Sequence, residues 1–223
     1  MDRAVLFDFG GTLDADGVAW KERFYQLYRE AGVDIARERF DPIFYRADDA
    51  LVGGIPATLS FADTVARLAD GVTQAIRPGD RALASRVARR FHDLTAEQIE
   101  KNRPLLTRLA ARYRLGIVSN FYGNLATVCD NFLLRPLFPV ILDSTQVGLS
   151  KPDPRIFRQA VAELRVPLAS SVFVGDSLAR DMGGALAVGM RHVWLAGAGR
   201  DEAKPCCADD RVVRSLLEVE ALL

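Results

Sequence analysis

The stretch Ala4-Val5-Leu6-Phe7-Asp8-Phe9-Gly10-Gly11-Thr12-Leu13, residues 4–13, decides the fold of this chain. Residues 4–9 are apolar at every position except Asp8, and they do not alternate with polar residues. Such a run predicts a β-strand that is buried on both faces, which is typical of parallel sheets. A glycine pair follows, so a turn is expected just beyond the strand. Because ligands bind beyond the carboxyl ends of strands in open α/β sheets, Asp8 stands at a candidate ligand site.

Four more apolar runs later in the chain have the same character and predict the other strands of the sheet. Apolar residues at helical spacing separate them, as in residues 156–164. Strands that alternate with helices predict an α/β fold, a Rossmann-like three-layer core with a central parallel sheet and the first strand in its middle. The predicted strands are Ala4–Phe9, Leu115–Ser119, Val140–Asp143, Ser171–Gly175 and His192–Leu195.

The segment between the first two predicted strands is longer than one βαβ crossover needs. From about Asp14 to about Lys101 the apolar residues recur at helical spacing, and no run predicts a strand. We therefore predict a helical cap inserted after the first strand. The predicted domains are an α/β core of residues 1–13 and 102–223 and a helical cap of residues 14–101.

Composition narrows the classes of partner. The 223 residues include 29 Lys plus Arg and 29 Asp plus Glu, so the formal net charge is zero. This balance predicts no nucleic acid or membrane-surface partner, and no apolar run approaches the roughly 20 residues that span a bilayer. Cys129, Cys206 and Cys207 have neither disulfide-framework nor metal spacing, which indicates reduced thiols in a cytoplasmic protein. The oligomeric state is unknown from the sequence.

Polar residues follow each of the first four predicted strands. Because the carboxyl ends of parallel strands meet at one edge of a sheet, we expect these side chains to lie together. The last of them, Asp181, comes a helical turn after Asp176 and should lie close behind it. In chain order the residues are Asp8, Ser119, Asn120, Lys151, Asp176 and Asp181.

This set of groups suits phosphoryl transfer. Asp8 would attack phosphorus and form an acyl phosphate that water then hydrolyses. Carboxylates are the ligands that Mg²⁺ prefers, so Asp8, Asp176 and Asp181 are expected to bind it. Lys151 would neutralise Asp8 and the phosphate, and hydroxyl and backbone N–H groups would bind the phosphate oxygens. The expected substrate-binding residues are Thr12, Ser119, Asn120 and Lys151.

The segments FDFGGTL, IVSN, SKPDP and VGDSLARD resemble the four motifs of the haloacid dehalogenase (HAD) superfamily. They occur in the same order and span nearly the whole chain, and the helical insertion resembles a C1-type cap. The resemblance implies a phosphatase-like hydrolase that uses Mg²⁺ and a small phosphorylated substrate. It also implies these roles: Asp8 as nucleophile, Ser119 as the second-motif hydroxyl, Lys151 as the third-motif lysine, Asp176 with Asp181 as the acidic fourth motif, and Gly10 as a metal ligand through its backbone carbonyl.

One position departs from this pattern. Phosphatases of the superfamily carry a second Asp two residues after the nucleophile, where it serves as general acid and base, and this chain has Gly10 there. A backbone carbonyl survives the change, so the expected metal site is kept. Acid–base assistance, typically worth roughly 10²–10⁴-fold, is lost unless another group supplies it. Asp14 and Asp16 are candidate replacements, although their interpretation as solvated loop carboxylates is favoured. A substrate with a good leaving group is the other alternative, because it needs no acid.

Three functions follow as hypotheses. The first is Mg²⁺-dependent hydrolysis of a small phosphorylated metabolite through an aspartyl-phosphate on Asp8. The second is a catalytically weak protein that binds a phosphorylated ligand or regulates. The third is a C–P or C–halogen bond hydrolase, for which the acidic fourth motif and the poorly placed cap lysine, Lys21, are unfavourable. We expect the first.

Overall fold

The chain folds around one parallel sheet with helices on both faces. The computed structural model describes residues 2–197 and 211–223. Six strands in the described residues are ordered β3-β2-β1-β4-β5-β6, and every neighbouring pair is parallel. The first strand lies inside the sheet, as predicted. The strands are Ala4–Phe7 (β1), Arg114–Ser119 (β2), Val140–Asp143 (β3), Ser171–Gly175 (β4), Arg191–Leu195 (β5) and Arg211–Val213 (β6).

The first strand, β1, is buried on both faces of the sheet, which is why its consecutive residues are apolar. All four residues of β1 are buried, and alternate side chains enter different hydrophobic clusters. Val5 and Phe7 pack on one face, whereas Leu6 packs on the other. β1 ends at Phe7, two residues earlier than predicted, because Phe9 to Leu13 form a turn.

Helices cover both faces of the sheet and complete the three layers. On one face the core includes Leu105 and Leu125, and on the other it includes Ile156 and Ala185. The predicted fold class is therefore confirmed. The helices that follow β2 to β4 are Leu125–Asn131 (α5), Ser144–Val147 (α6), Pro154–Leu164 (α7) and Gly183–Ala187 (α8).

The segment between β1 and β2, all of which the structure describes, contains helices joined by loops and no strand. We call this segment the helical insertion. Its helices are Trp20–Glu30 (α1), Arg37–Asp49 (α2), Phe61–Ile76 (α3) and Arg81–Ala110 (α4). α4 crosses the predicted boundary at residues 101 and 102: Val87 and Phe91 lie in its insertion half, and Leu109 lies near the sheet. The division at that boundary stays a prediction.

Two elements have weak sequence signals. α2 buries only Phe40 and Phe44 and contains Pro42, so its apolar stripe is short. β6 has three residues, two of them exposed, at the edge of the sheet. Neither α2 nor β6 was predicted from a pattern.

No helix among the described residues, including the 30-residue α4, has the length and apolar character to cross a membrane. Cys129 is buried in the core on α5, and burial raises the pKa of its thiol to about 12. Cys206 and Cys207 lie outside the described residues.

Candidate active site

Asp8 stands where β1 leaves the sheet, with its backbone N–H still bonded to the carbonyl of Val174 at 2.9 Å. One carboxylate oxygen, Oδ1, accepts hydrogen bonds from the Phe9 N–H at 2.8 Å and the Ser119 hydroxyl at 2.7 Å. The Lys151 ammonium also lies 2.8 Å from Oδ1. No described residue forms a hydrogen bond or ion pair with Oδ2, so this oxygen is available as a nucleophile.

Lys151 is almost completely buried and joins two carboxylates. Its Nζ lies 2.8 Å from Asp8 Oδ1 and 2.7 Å from Asp181 Oδ1. Burial lowers the pKa of Lys151, but the charges and hydrogen bonds of Asp181 and Asp8 outweigh it and leave the pKa above its ordinary value. The lysine is therefore a fixed positive charge.

Asn120 holds the backbone of Lys151 in place. Its Oδ1 accepts from the Lys151 N–H at 2.8 Å, and its Nδ2 donates to the Lys151 carbonyl at 2.9 Å. These bonds position the backbone of Lys151. Asn120 also lines the cavity described below, and its predicted role in substrate binding stays a prediction. Thr12, also a predicted substrate-binding residue, is fully buried and does not line the cavity described below.

Asp8, Asp176 and Asp181 form a compact acidic cluster. One carboxylate oxygen from each lies within 4.8 Å of the others, and all three residues are buried. Asp181 accepts from the Ser177 N–H at 2.9 Å, whereas Asp176 Oδ1 is buried with no hydrogen-bond partner among the described residues. Burial raises the pKa of Asp176 and of Asp181, and neighbouring carboxylates raise both further against the opposing charge of Lys151.

This cluster fits a cation. The Lys151 ammonium group is ion-paired with two of the three carboxylates, Asp8 and Asp181, and an unpartnered buried carboxylate oxygen is costly unless a further positive charge binds it. Oxygen donors of this kind suit a hard divalent ion. Three of the predicted metal ligands, Asp8, Asp176 and Asp181, therefore lie close enough to share a cation, and the metal site itself stays a prediction.

The two adjacent glycines after Asp8 have different requirements. Gly11 has φ of 86°, and a Cβ there would lie 2.7 Å from the Asp176 carboxyl carbon. Gly10 has φ of −72°, which any residue adopts, but a Cβ there would lie 3.3 Å from Trp20 Nε1. The turn therefore needs glycine at position 11, and the indole of Trp20 occupies the space beside position 10.

Asp14 and Asp16 are held by other residues of the protein. Asp14 is fully buried: its Oδ1 accepts from the Gly11 N–H at 2.6 Å, and its Oδ2 accepts from Trp20 Nε1 at 2.6 Å and pairs with Arg23 at 2.8 Å. Asp16 accepts hydrogen bonds from the Ser215 hydroxyl and the N–H of residue 216. Neither lines the cavity, so the structure gives no support to either as a replacement acid, and their interpretation as solvated loop carboxylates was wrong.

Lys21 is held as a cation. Its Nζ lies 2.5 Å from Asp41 Oδ2 and 5.2 Å from the centre of the Tyr45 ring. Burial would lower the pKa of Lys21, but the hydrogen bond to Asp41 and the charges of Tyr45 and Asp41 raise it. A Schiff base needs an unprotonated amine, so Lys21 is unsuited to that chemistry.

A cavity of about 360 Å³ lies above Asp8, within the size range of small-molecule sites. Residues of the core form its floor: Asp8, Gly10, Ser119, Lys151 and Asp176. Residues 20–52 form what we call the insertion wall: Trp20, Lys21, Phe44, Tyr45, Asp48, Asp49 and Val52. Phe121, Tyr122 and Arg180 line it from the loops after β2 and β4.

The sequence indicated the floor and missed the wall. Trp20 is one of the apolar residues at helical spacing from which only a helix was predicted, and Asp48 was not singled out. Tyr122 follows Ser119 by three residues, so its position just after a strand was an available signal.

Comparison with known proteins agrees with the geometry. The family profile described as haloacid dehalogenase-like hydrolase matches residues 3–189. Haloacid dehalogenase-like hydrolase domain-containing protein 3 of Bos taurus is 42% identical over 84 residues, which is 38% of this chain and 34% of that protein. Phosphoserine phosphatase of Thermus thermophilus is 38% identical over 87 residues, covering 38% and 35%. The match thus spans about a third of each relative's length.

Solved structures share the fold over almost the whole chain. The HAD-hydrolase YfnB from Bacillus subtilis, bound to magnesium, has a TM-score of 0.60 at 21% identity and covers 99% of this chain and 98% of its own. A dehalogenase with an intermediate complex has a TM-score of 0.66 at 21% identity, covering 99% and 96%. At these identities the likeness concerns the fold alone.

Proposed function

This chain belongs to the haloacid dehalogenase-like hydrolases, and from that premise we propose that it is a Mg²⁺-dependent hydrolase of a small phosphorylated metabolite. The reaction proceeds through an aspartyl-phosphate on Asp8. The observation that carries the proposal is the buried cluster of Asp8, Asp176 and Asp181 around Lys151, with one oxygen of Asp176 unpartnered. Its arrangement supports a site for a cation beside a nucleophilic carboxylate.

The ligands proposed for Mg²⁺ are the carboxylates of Asp8 and Asp176, the backbone carbonyl of Gly10, and Asp181 directly or through water. When bound, the ion would neutralise negative charge on the phosphoryl oxygens and on the carboxylates around it.

The contacts of Asp8 support its role as nucleophile. Ser119 and Lys151 hold Oδ1, so the carboxylate is oriented with Oδ2 available. Oδ2 bonds to phosphorus as the bond from phosphorus to the leaving oxygen breaks, and water then hydrolyses the acyl phosphate. Lys151 neutralises Asp8 and would stabilise the charge on the phosphoryl group.

The alternative chemistries have less support. A C–P hydrolase of the phosphonate type needs a neutral lysine beside the substrate, and the Lys21 amine is held protonated by Asp41. A C–halogen hydrolase has no evident use for the unpartnered Asp176 carboxylate. The dehalogenase neighbour is 21% identical, so its activity does not transfer to this chain.

A binding or regulatory role is the second candidate, and Gly10 favours it because the usual acid–base carboxylate is missing there. Measured turnover distinguishes the hydrolase from the binding or regulatory protein. A binding module would hold phosphorylated ligands with Mg²⁺ present and release no phosphate.

The test is phosphate release from an aryl phosphate, with and without Mg²⁺, in the wild type and in Asp8→Asn. We expect Mg²⁺-dependent release that Asp8→Asn abolishes. Asp34→Asn is the matched control, because Asp34 is exposed and does not line the cavity. Release that persists in Asp8→Asn would contradict the proposal. A panel of phosphorylated metabolites then identifies the substrate.

A further inference from the structure

The missing carboxylate at position 10 leaves the reaction without a group that protonates the leaving oxygen. We propose that Asp48, on α2 of the helical insertion, supplies this acid–base assistance, oriented by the hydroxyl of Tyr122. The inference rests on the proposed function of the site. Asp48 lies outside the four motifs, and the motif residues include no group that protonates the leaving oxygen.

The loop after β1 has no carboxylate for this task. Position 10 lacks a side chain, and the space beside it is taken by Trp20, whose Nε1 lies 3.3 Å from where a Cβ would be. Asp14 uses both oxygens to bind Gly11, Trp20 and Arg23. An acid that assists the leaving group would therefore come from another part of the cavity.

Four carboxylates line the cavity among the described residues: Asp8, Asp48, Asp49 and Asp176. Asp8 is the proposed nucleophile, and Asp176 belongs to the proposed cation site. Asp49 is exposed, whereas Asp48 is half-buried and accepts a hydrogen bond from the Tyr122 hydroxyl at its Oδ1. Asp48 is thus the remaining carboxylate whose position is fixed.

Tyr122 connects Asp48 to the part of the core that carries Ser119. It is buried in the loop that follows β2, and its carbonyl accepts from the Gly53 N–H at 3.3 Å. The next residue, Gly123, donates its N–H to Asp143 at 2.9 Å. Because this loop is bonded to both the insertion and the core, it holds Asp48 over the same cavity whose floor contains Asp8.

The surroundings of Asp48 favour a group that exchanges protons. The pKa of Asp48 is raised above its ordinary value, mainly by burial. The hydrogen bond from Tyr122 and the charge of Arg180 lower this pKa, whereas the charge of Asp49 raises it. Burial, followed by the charge of Asp48, raises the pKa of Tyr122 well above its ordinary value, so the phenol stays protonated as a donor. A carboxyl group with a raised pKa is a better acid–base catalyst near neutral pH.

The proton cycle closes over the two half-reactions. As Oδ2 of Asp8 bonds to phosphorus, the bond to the leaving oxygen breaks, and that oxygen takes the proton of the Asp48 carboxyl group to give an alcohol. Asp48, now a carboxylate, takes a proton from water as the water oxygen bonds to phosphorus. The bond from phosphorus to Asp8 breaks, phosphate leaves, and both aspartates return to their starting states.

The test compares matched alkyl and aryl phosphates, because a general acid matters most when the leaving oxygen is strongly basic. We expect Asp48→Asn to lower kcat/KM for the alkyl ester by about 10²-fold and for the aryl ester by less than about 10-fold. Asp48→Glu should recover part of the alkyl activity. Asp34→Asn, which changes an exposed aspartate that does not line the cavity, should leave the activity on both esters unchanged. Thermal melts check that each variant is folded.

The pH profile separates proton transfer from a structural role. The wild type should lose kcat/KM for the alkyl ester on the alkaline side, as the Asp48 carboxyl group ionises, and Asp48→Asn should lack this limb. Tyr122→Phe removes a hydrogen bond that lowers the pKa of Asp48, so the limb should move to higher pH.

Two outcomes would overturn the inference in distinguishable ways. If the wild type shows Asp8-dependent phosphate release and Asp48→Asn slows both esters equally, Asp48 is no acid–base residue and the proposed function still stands. If the wild type shows no Asp8-dependent release from any ester, the proposed function fails and the inference fails with it.

Discussion

The floor of the cavity and its insertion wall are built on different principles. On the floor, Asp8, Ser119 and Lys151 are buried and held to one another by hydrogen bonds and ion pairs. On the wall, Tyr45 and Val52 are half exposed and present large apolar surfaces to the cavity. The floor thus has one geometry, which suits fixed chemistry. The wall combines this exposed apolar surface with the carboxylate of Asp48, which suits contact with the substrate's leaving group.

Lys151→Met gives the largest effect that we expect on the floor. It would leave Asp8 and Asp181 as buried charges without their cation, which typically costs about 3–5 kcal/mol. Phosphate release should fall by at least about 10³-fold, because the charge on the nucleophile and phosphoryl group is no longer neutralised. Chemical denaturation and steady-state assays measure both effects.

A matched control for that variant comes from the wall. Lys21→Met removes a lysine whose side chain is about one-fifth exposed and which is ion-paired with Asp41. Its stability cost should be smaller than that of Lys151→Met, because Lys151 is almost completely buried and neutralises two carboxylates. Equal costs for the two lysines would contradict the distinction between floor and wall.

Metal binding is the next prediction. Asp176→Asn should weaken Mg²⁺ binding by about 10–100-fold in isothermal titration, and the metal-free protein should melt at a higher temperature because an unpartnered buried carboxylate has been neutralised. Asp34→Asn should leave the Mg²⁺ affinity unchanged. Unchanged affinity in Asp176→Asn would rule out the proposed site.

Substitutions of the adjacent glycines, Gly10 and Gly11, should have a smaller effect, on the free energy of unfolding. Gly11→Ala places a Cβ 2.7 Å from the Asp176 carboxyl carbon at a φ of 86°, so we expect a loss of about 1–3 kcal/mol in the free energy of unfolding. Gly10→Ala has an ordinary φ and meets only the indole edge of Trp20 at 3.3 Å. Its cost should be below about 1 kcal/mol. Equal shifts of the denaturant midpoint in Gly11→Ala and Gly10→Ala would contradict this interpretation of the turn.

The same contrast explains how much the sequence could predict. The floor follows from local signals, because an apolar run predicts a strand and the polar residue at its end reaches the sheet's edge. Asp8, Lys151, Asp176 and Asp181 were therefore predicted correctly to lie together.

The wall could not be predicted, because a helical stripe looks the same whether it packs inside a core or lines a cavity. Trp20 shares its stripe with Phe24, which is fully buried. Asp14 was misjudged for a related reason: its partners Trp20 and Arg23 come from α1, and only tertiary packing brings them to it. Residue spacing alone contains no information on that packing.

The smallest expected effect concerns proton donation to the leaving oxygen, which we propose comes from Asp48 on the wall and not from position 10 on the floor. Gly10→Asp restores a carboxylate two residues after Asp8, and Trp20 must shift by a few tenths of an ångström to admit it. In the wild-type background we expect less than about a threefold gain on alkyl phosphates, since Asp48 already supplies the proton. In the Asp48→Asn background the gain should be about 10-fold, because the new acid then replaces a missing one.

Gly10→Asn is the matched control for this comparison, because it has the same shape and no acidic proton. It should give no gain in either background, so that any gain with Asp reflects proton transfer and not a rearranged Trp20. An equal gain from Gly10→Asp in both backgrounds would mean that positions 10 and 48 act independently. Asp48 would then serve the leaving group by binding it, and the floor alone would carry the chemistry.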